Sequence, residues 1–152
     1  MKNIANLLQI GAITCLAITS LAFLEPDSTT TSEPVATDPD FRVGAIQIPE
    51  GFKVGNCTSV KVWISNPTPA VVDTMIKVTL YVSQRGQEAV TYTRPLLGIA
   101  AKSKASVWFN NVSINGKGQA KVEATVNPDK KIKESNYSNN KKLIYPKPTI
   151  GC

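Results

Sequence analysis

Between Asn127 and Pro146 the chain reads NPDKKIKESNYSNNKKLIYP. Asn127, Asp129, Glu134, Asn136 and Asn139 place several oxygen donors in one short stretch, the donor type a hard cation such as calcium takes. Asp129, Glu134, Asn136 and Asn139 are the candidate calcium ligands. Lys130, Lys131 and Lys133 lie among them and would repel a cation, and the spacing matches no standard calcium loop. The competing reading is structural. Asn and Asp tolerate left-handed backbone and cap their own main chain. Glu134, Asn136, Asn139 and Asn140 would then pin a hairpin between two strands. If that hairpin closes, Lys130, Lys131, Lys133, Lys141 and Lys142 gather on one rim. Such a rim attracts anionic polysaccharide, lipid headgroups or extracellular DNA by charge. Only Tyr137 interleaves these lysines, so the stretch lacks the aromatic platform of a base-stacking site, and no sequence-specific nucleic-acid partner is expected.

Catalysis has little to work with. The chain contains no histidine, which removes Ser-His-Asp and Cys-His arrangements and most zinc sites. Glu123, Asp129 and Glu134 are the one near cluster of acids, and Glu123 falls on an outward strand position while the others fall in the loop. No enzyme and no cofactor are expected. Two tryptophans remain. Trp63 and Trp108 both fall on outward strand positions, where sandwich exteriors usually carry polar residues. Side by side they would stack a sugar ring or seat a partner. Equally, they would form a cross-strand pair that covers its own sheet under lysine stems.

These residues must be positioned by strands. In SVKVWISN, Val60, Val62 and Ile64 alternate with Lys61, Trp63 and Ser65. In IKVTLYVS, Ile76, Val78, Leu80 and Val82 alternate with Lys77, Thr79, Tyr81 and Ser83. KASVWFNN and QAKVEATV repeat the pattern, with Val107, Phe109, Val122 and Val126 on the apolar side. Period-two alternation predicts half-buried strands. Weaker strands are expected at Arg42 to Ile48, Ala89 to Arg94 and Lys142 to Tyr145. Turn residues punctuate them, including Pro49-Glu50-Gly51, Asn66-Pro67-Thr68-Pro69 and Arg85-Gly86. About seven short strands so bounded predict an all-β, immunoglobulin-like antiparallel sandwich, with the second and fifth strands adjacent and Tyr81 on the other sheet.

The first 22 residues read as a signal peptide: Lys2, an uncharged apolar run, then Ser20-Leu21-Ala22. An uncleaved segment would instead anchor the chain, the one route to a membrane. Residues 23–41 are rich in Pro, Ser, Thr and acids and read as a linker. Residues 42–152 form the expected domain, where sixteen Lys and Arg outweigh six Asp and Glu. After cleavage two cysteines remain, Cys57 and Cys152. In an oxidising compartment they would pair as one disulfide, tying the start of the domain to its end.

The C-terminal stretch also carries a resemblance. Glu123-Ala124-Thr125-Val126-Asn127-Pro128-Asp129, then Ile132, then Glu134-Ser135-Asn136-Tyr137-Ser138-Asn139-Asn140, resembles the signature of the CARDB family (cell-adhesion-related domain found in bacteria). Val60 to Asn66, Ile76 to Val82 and Ala100-Ala101-Lys102-Ser103 are similar to its second strand, its third strand and the turn before the next. Asn127 stands where many members carry aspartate, which counts against a cation in the loop. The resemblance implies an immunoglobulin-like sandwich of exported bacterial proteins, secreted, periplasmic or at the cell surface. The expected function is a non-enzymatic interaction module with an adhesion role and a protein, glycan or anionic-polymer partner. One alternative is a carbohydrate-binding module using Trp63 and Trp108. Another is a subunit that self-assembles through an edge strand or through its acidic linker.

Overall fold

A computed structural model describes residues 37–53, 55, 57–114 and 118–148. Alternating side chains build seven strands: β1 (Arg42–Gln47), β2 (Cys57–Asn66), β3 (Val72–Gln84), β4 (Val90–Ile99), β5 (Ser103–Ser113), β6 (Ala120–Val126) and β7 (Lys141–Ile144). All pairings are antiparallel, giving a three-stranded sheet ordered β1-β2-β5 and a four-stranded sheet ordered β4-β3-β6-β7. This is the expected immunoglobulin-like sandwich. Among the described residues no helix is long and apolar enough to cross a membrane. The expected signal peptide lies outside them, as does most of the expected linker.

The core lies between the sheets. Val60, Val62 and Ile64 of β2 meet Ile76, Val78 and Leu80 of β3 and Val122, Ala124 and Val126 of β6 in one buried cluster. In β1 the register shifts between Val43 and Ala45. The extra residue lets Val43 and Ile46, three positions apart, both face inward.

Two boundaries differ from expectation. The domain begins before Arg42, because Phe41 is fully buried in the core and Asp40 is 5% exposed. Both fall in the stretch expected to be linker, since a lone Phe after Asp-Pro-Asp gives no alternation to follow. β4 runs past Arg94 to Ile99, through Pro95. It is an edge strand, where a missing N–H leaves no ladder bond unmade. Gly98 then closes its end at φ +81°, and a Cβ there would lie 2.5 Å from the Val72 carbonyl oxygen. Leu96 and Ile99 turn inward, while Leu97 stays out beside its cross-strand partner Met75. Cys57, exposed at the start of β2, forms no disulfide with any described residue, and its expected partner Cys152 lies outside them.

Candidate functional site

The loop between β6 and β7 is organised by a carboxylate. β6 ends at Val126, and Asn127 (φ +47°) and Lys130 (φ +53°) turn the chain through left-handed backbone. Asn127 Oδ1 accepts the Ile132 N–H, and its Nδ2 donates to the Ile132 carbonyl and to Glu134 Oε1 at 2.6 Å. Asn140 Nδ2 donates to the same oxygen at 2.7 Å. The other oxygen, Oε2, accepts the Phe41 N–H at 2.8 Å. Glu134, 5% exposed, therefore joins the two ends of the loop to a segment 93 residues away. Burial pushes its carboxyl above the ordinary glutamate value. The three N–H donors pull it back, and nearby Asp40 adds to the rise.

The neighbours continue this tie. Asn139 Nδ2 donates to Asp40 Oδ1, whose other oxygen takes the Arg42 guanidinium. The Asn139 carbonyl accepts the Val43 N–H, and the Pro39 carbonyl accepts the Ser135 N–H. Asn136 Oδ1 accepts the N–H and Oγ–H of Ser138 and shapes the loop tip. Tyr137 Oη accepts the Glu134 N–H and donates to the Ile132 carbonyl. Sequence reasoning missed Asp40 and Phe41 in this network. Its loop residues came from one contiguous motif, whereas these come from the far end of the domain.

The four candidate calcium ligands do not form a ligand set. Glu134 is occupied by N–H donors, Asn136 by Ser138, and Asp129 faces Lys77 and Lys131 at 3.6 and 3.9 Å. Asn139 turns its amide nitrogen to Asp40. The buried Oδ1 atoms of Asn139 and Asn140 have no donor among the described residues. Two neutral oxygens fall far short of the six to eight ligands calcium takes. Among the described residues no group of three His, Cys, Asp or Glu could hold a metal ion.

The lysines do not form a bare rim either. Lys130 lies over the Tyr137 ring, 5.0 Å from its centroid. Lys133 meets Asp38 at 2.9 Å, a bond that raises its pKa above the usual lysine value. Lys141 meets Glu123 at 3.0 Å, and Lys142 donates to the Gly44 carbonyl. Partial burial alone would raise the Glu123 carboxyl, but bonds and charge from Lys141 and Lys121 together hold it below the ordinary value. The basic stretch is thus dispersed into separate pairings: Lys131 meets Asp129 within it, while the carboxylates that meet Lys133 and Lys141 come from other parts of the chain.

The outer face of β1, β2 and β5 is different. Cross-strand register sets Lys61 opposite Trp108 and Trp63 opposite Ser106, so the two indoles are diagonal neighbours with Lys61 between them. The Lys61 ammonium lies 4.0 Å from the Trp63 ring centroid and 5.1 Å from that of Trp108, a double cation–π contact. Gln47 Oε1 accepts the Trp63 Nε1–H at 2.9 Å and fixes that ring. Trp108 has no such bond among the described residues and is 52% exposed. Beside Trp63 an open groove of about 430 Å³ is bounded by Gly44, Ala45, Ser65 and Lys104. Lys61 was not singled out from sequence, although its place two residues before Trp63 sets both on one strand face. Tyr81 lies on the other sheet with Lys121 5.6 Å from its ring centroid.

A protein-family model described as CARDB matches residues 38–143. Among solved structures, the chain is similar to the CARDB domain of a Pyrococcus furiosus protein, solved in complex with di-metal ions. The TM-score is 0.56 at 21% identity, covering 74% of this chain and 94% of that one. It is similar also to a domain of a candidate cell surface protein from Methanosarcina acetivorans. There the TM-score is 0.61 at 18% identity, again covering 74% of this chain and 94% of that one. These likenesses show the shared fold. No curated protein matches the chain significantly.

Proposed function

The chain belongs to the CARDB family, and from that premise we propose that it is a non-enzymatic, exported interaction module acting at the cell surface through the outer face of β1, β2 and β5. The observation that carries this reading is the arrangement of Trp63 and Trp108 around Lys61, with Trp108 half exposed. Recognition surfaces concentrate tryptophan, and a half-exposed indole on a sandwich exterior is unusual where polar residues are the rule. The non-enzymatic reading is supported by the absence of histidine from the sequence. It is supported too by Glu123, Asp129 and Glu134, whose carboxylates are each engaged by lysines or by N–H donors. The lysine pairings around the loop favour the aromatic face over the C-terminal stretch as the place of contact.

The test is retention of the full exported chain on envelope preparations of its own cells, compared with Trp108→Ala. Loss of retention by about tenfold, with the melting temperature kept, is the expected outcome; stacking on an aromatic contributes about 1–3 kcal/mol. Unchanged retention of Trp108→Ala would show that the chain does not bind through this face.

A second reading, self-assembly, is favoured by one observation on the opposite sheet. Met75 (67% exposed) and Leu97 (83% exposed) are paired across β3 and the edge strand β4. Light scattering of the full chain and of Leu97→Lys tests this. A wild-type oligomer that the substitution dissolves supports the second reading, and a monomer in both sinks it.

A further inference from the structure

The outer face of the three-stranded sheet has a chemistry that narrows its ligand. Outward positions at the centre of β2 and β5 carry Lys61, Trp63, Ser65, Lys104, Ser106 and Trp108. Two are cations, two are indoles and two are hydroxyls; the acid nearest in register, Asp40, is taken by Arg42 of β1. Among the described residues neither Lys61 nor Lys104 meets a carboxylate, whereas Lys77, Lys121, Lys131, Lys133 and Lys141 all do. Lys61 and Lys104 are thus open to an external anion, and of the cations without a carboxylate they are the two that flank the indoles.

Spacing decides which anion. Lys61 and the row of Ser65 and Lys104 are four residues apart along β2, roughly 13 Å at the usual strand rise. Trp63 and the groove beside it lie between them. Duplex nucleic acid carries one charge every ~1.7 Å, and its partners answer with dense Lys and Arg. Two lysines rooted about 13 Å apart along the strands are too few for that. They suit a polymer with charges spread along it and ring surface in between. An indole offers an apolar face to the C–H side of a sugar ring, and Ser65 and Ser106 offer hydroxyls to its rim. Trp63 is tied to Gln47 through its Nε1–H, while the half-exposed Trp108 has no such bond among the described residues. Trp108 is therefore the stacking ring.

Resting on the proposal that the chain binds through this face, we infer that its ligand is a carboxylated polysaccharide, with a pyranose ring stacked on Trp108 and uronate carboxylates paired to Lys61 and Lys104. Lys61 acts as a specificity residue. Its ammonium is already held between the two rings, so it meets the carboxylate without first being ordered. Groups on the loop between β6 and β7 take no part.

Calorimetric titration of the full chain with polygalacturonate fragments tests this, with the same fragments fully methyl-esterified as a neutral control. Heparin and single-stranded DNA serve as denser polyanions. The free acid is expected to bind at least tenfold more tightly than the ester and than either dense polyanion, and to weaken as salt rises. Trp108→Ala and Lys61→Gln are each expected to weaken it about tenfold, and the double variant Lys131→Gln/Lys133→Gln to leave it unchanged. Equal binding of acid and ester, preference for heparin or DNA, or loss only in the loop double variant would overturn the inference. So would Trp108-dependent retention on envelope preparations with no binding of the free acid. That result keeps the interaction face and rejects the ligand class, whereas retention indifferent to Trp108 rejects both.

Discussion

Removing the Glu134 side chain is the most severe single perturbation of the loop between β6 and β7. Its carboxylate accepts three N–H bonds, from Phe41 at 2.8 Å, Asn127 at 2.6 Å and Asn140 at 2.7 Å. Glu134→Ala removes the acceptor of the Phe41 N–H and one of the two acceptors of each of Asn127 Nδ2 and Asn140 Nδ2, in a site that is 5% exposed. A bond to a charged group contributes about 1.5–3 kcal/mol, so the three sum to an upper bound of about 9 kcal/mol. The bonds share one acceptor and are not additive, and water entering the vacated space recovers part. A net loss of about 3–5 kcal/mol follows, the range for breaking a buried charged contact. Against a typical total of about 5–15 kcal/mol this is a large fraction. It corresponds to a fall in melting temperature on the order of 10–20 °C. Glu134→Gln keeps one acceptor but turns an amide group toward the remaining donors, and should lose about 2 kcal/mol.

Urea unfolding followed by tryptophan fluorescence gives these values, and hydrogen exchange at the Phe41 amide locates them. Exchange at Phe41 should accelerate more than at Val78, which stays inside the core. A Glu134→Ala variant within about 0.5 kcal/mol of wild type, the range of ordinary surface substitutions, would refute the reasoning. Carboxylate bonding would then be incidental to the union of the N-terminal segment with the loop.

Other outcomes follow from the same structure. Carboxyl NMR titration should place Glu134 above the free glutamate value and Glu123 below it. Because the Glu134 pKa is raised, its titration contributes stability below the unfolded value that is lost as pH rises through the folded pKa. The lowered Glu123 contributes stability above the unfolded value that is lost as pH falls through its folded pKa. Equal pKa values for the two would contradict both environments. Gly98→Ala forces a Cβ to 2.5 Å from the Val72 carbonyl oxygen at a positive φ, and should destabilise by about 1–3 kcal/mol in urea unfolding. Trp63→Ala removes the Gln47 bond and the nearer cation–π contact and should destabilise by about 1–2 kcal/mol. Trp108→Ala should stay within about 1 kcal/mol of wild type, and the reverse order would exchange the roles of the two rings.

Much of the candidate face was legible because strand alternation is a local property. A strand must point successive side chains to opposite faces, so Val60, Val62 and Ile64 went inward and Lys61, Trp63 and Ser65 outward without knowledge of any partner strand. The same rule set Trp108 outside and Val107 and Phe109 inside, and turn residues marked where each strand stops. The loop motif likewise named Glu134, Asn139 and Asn140, since asparagine and glutamate side chains cap backbone close by. Charge pairing was not legible. Lys133 and Asp38, or Lys141 and Glu123, meet only because distant segments fold together, and a run of lysines looks the same whether or not acids arrive.

Local periodicity thus determined the sandwich, its seven strands and the faces of their regularly alternating residues, but neither the register shift in β1 nor the run of β4 past Arg94. Only the tertiary structure decided that Phe41 belongs to the core, held by a carboxylate 93 positions later. Only the β2–β5 register decided that Lys61 sits between two indoles. Both are facts of long-range pairing, in which the contact is set by how strands align and not by what precedes or follows a residue along the chain.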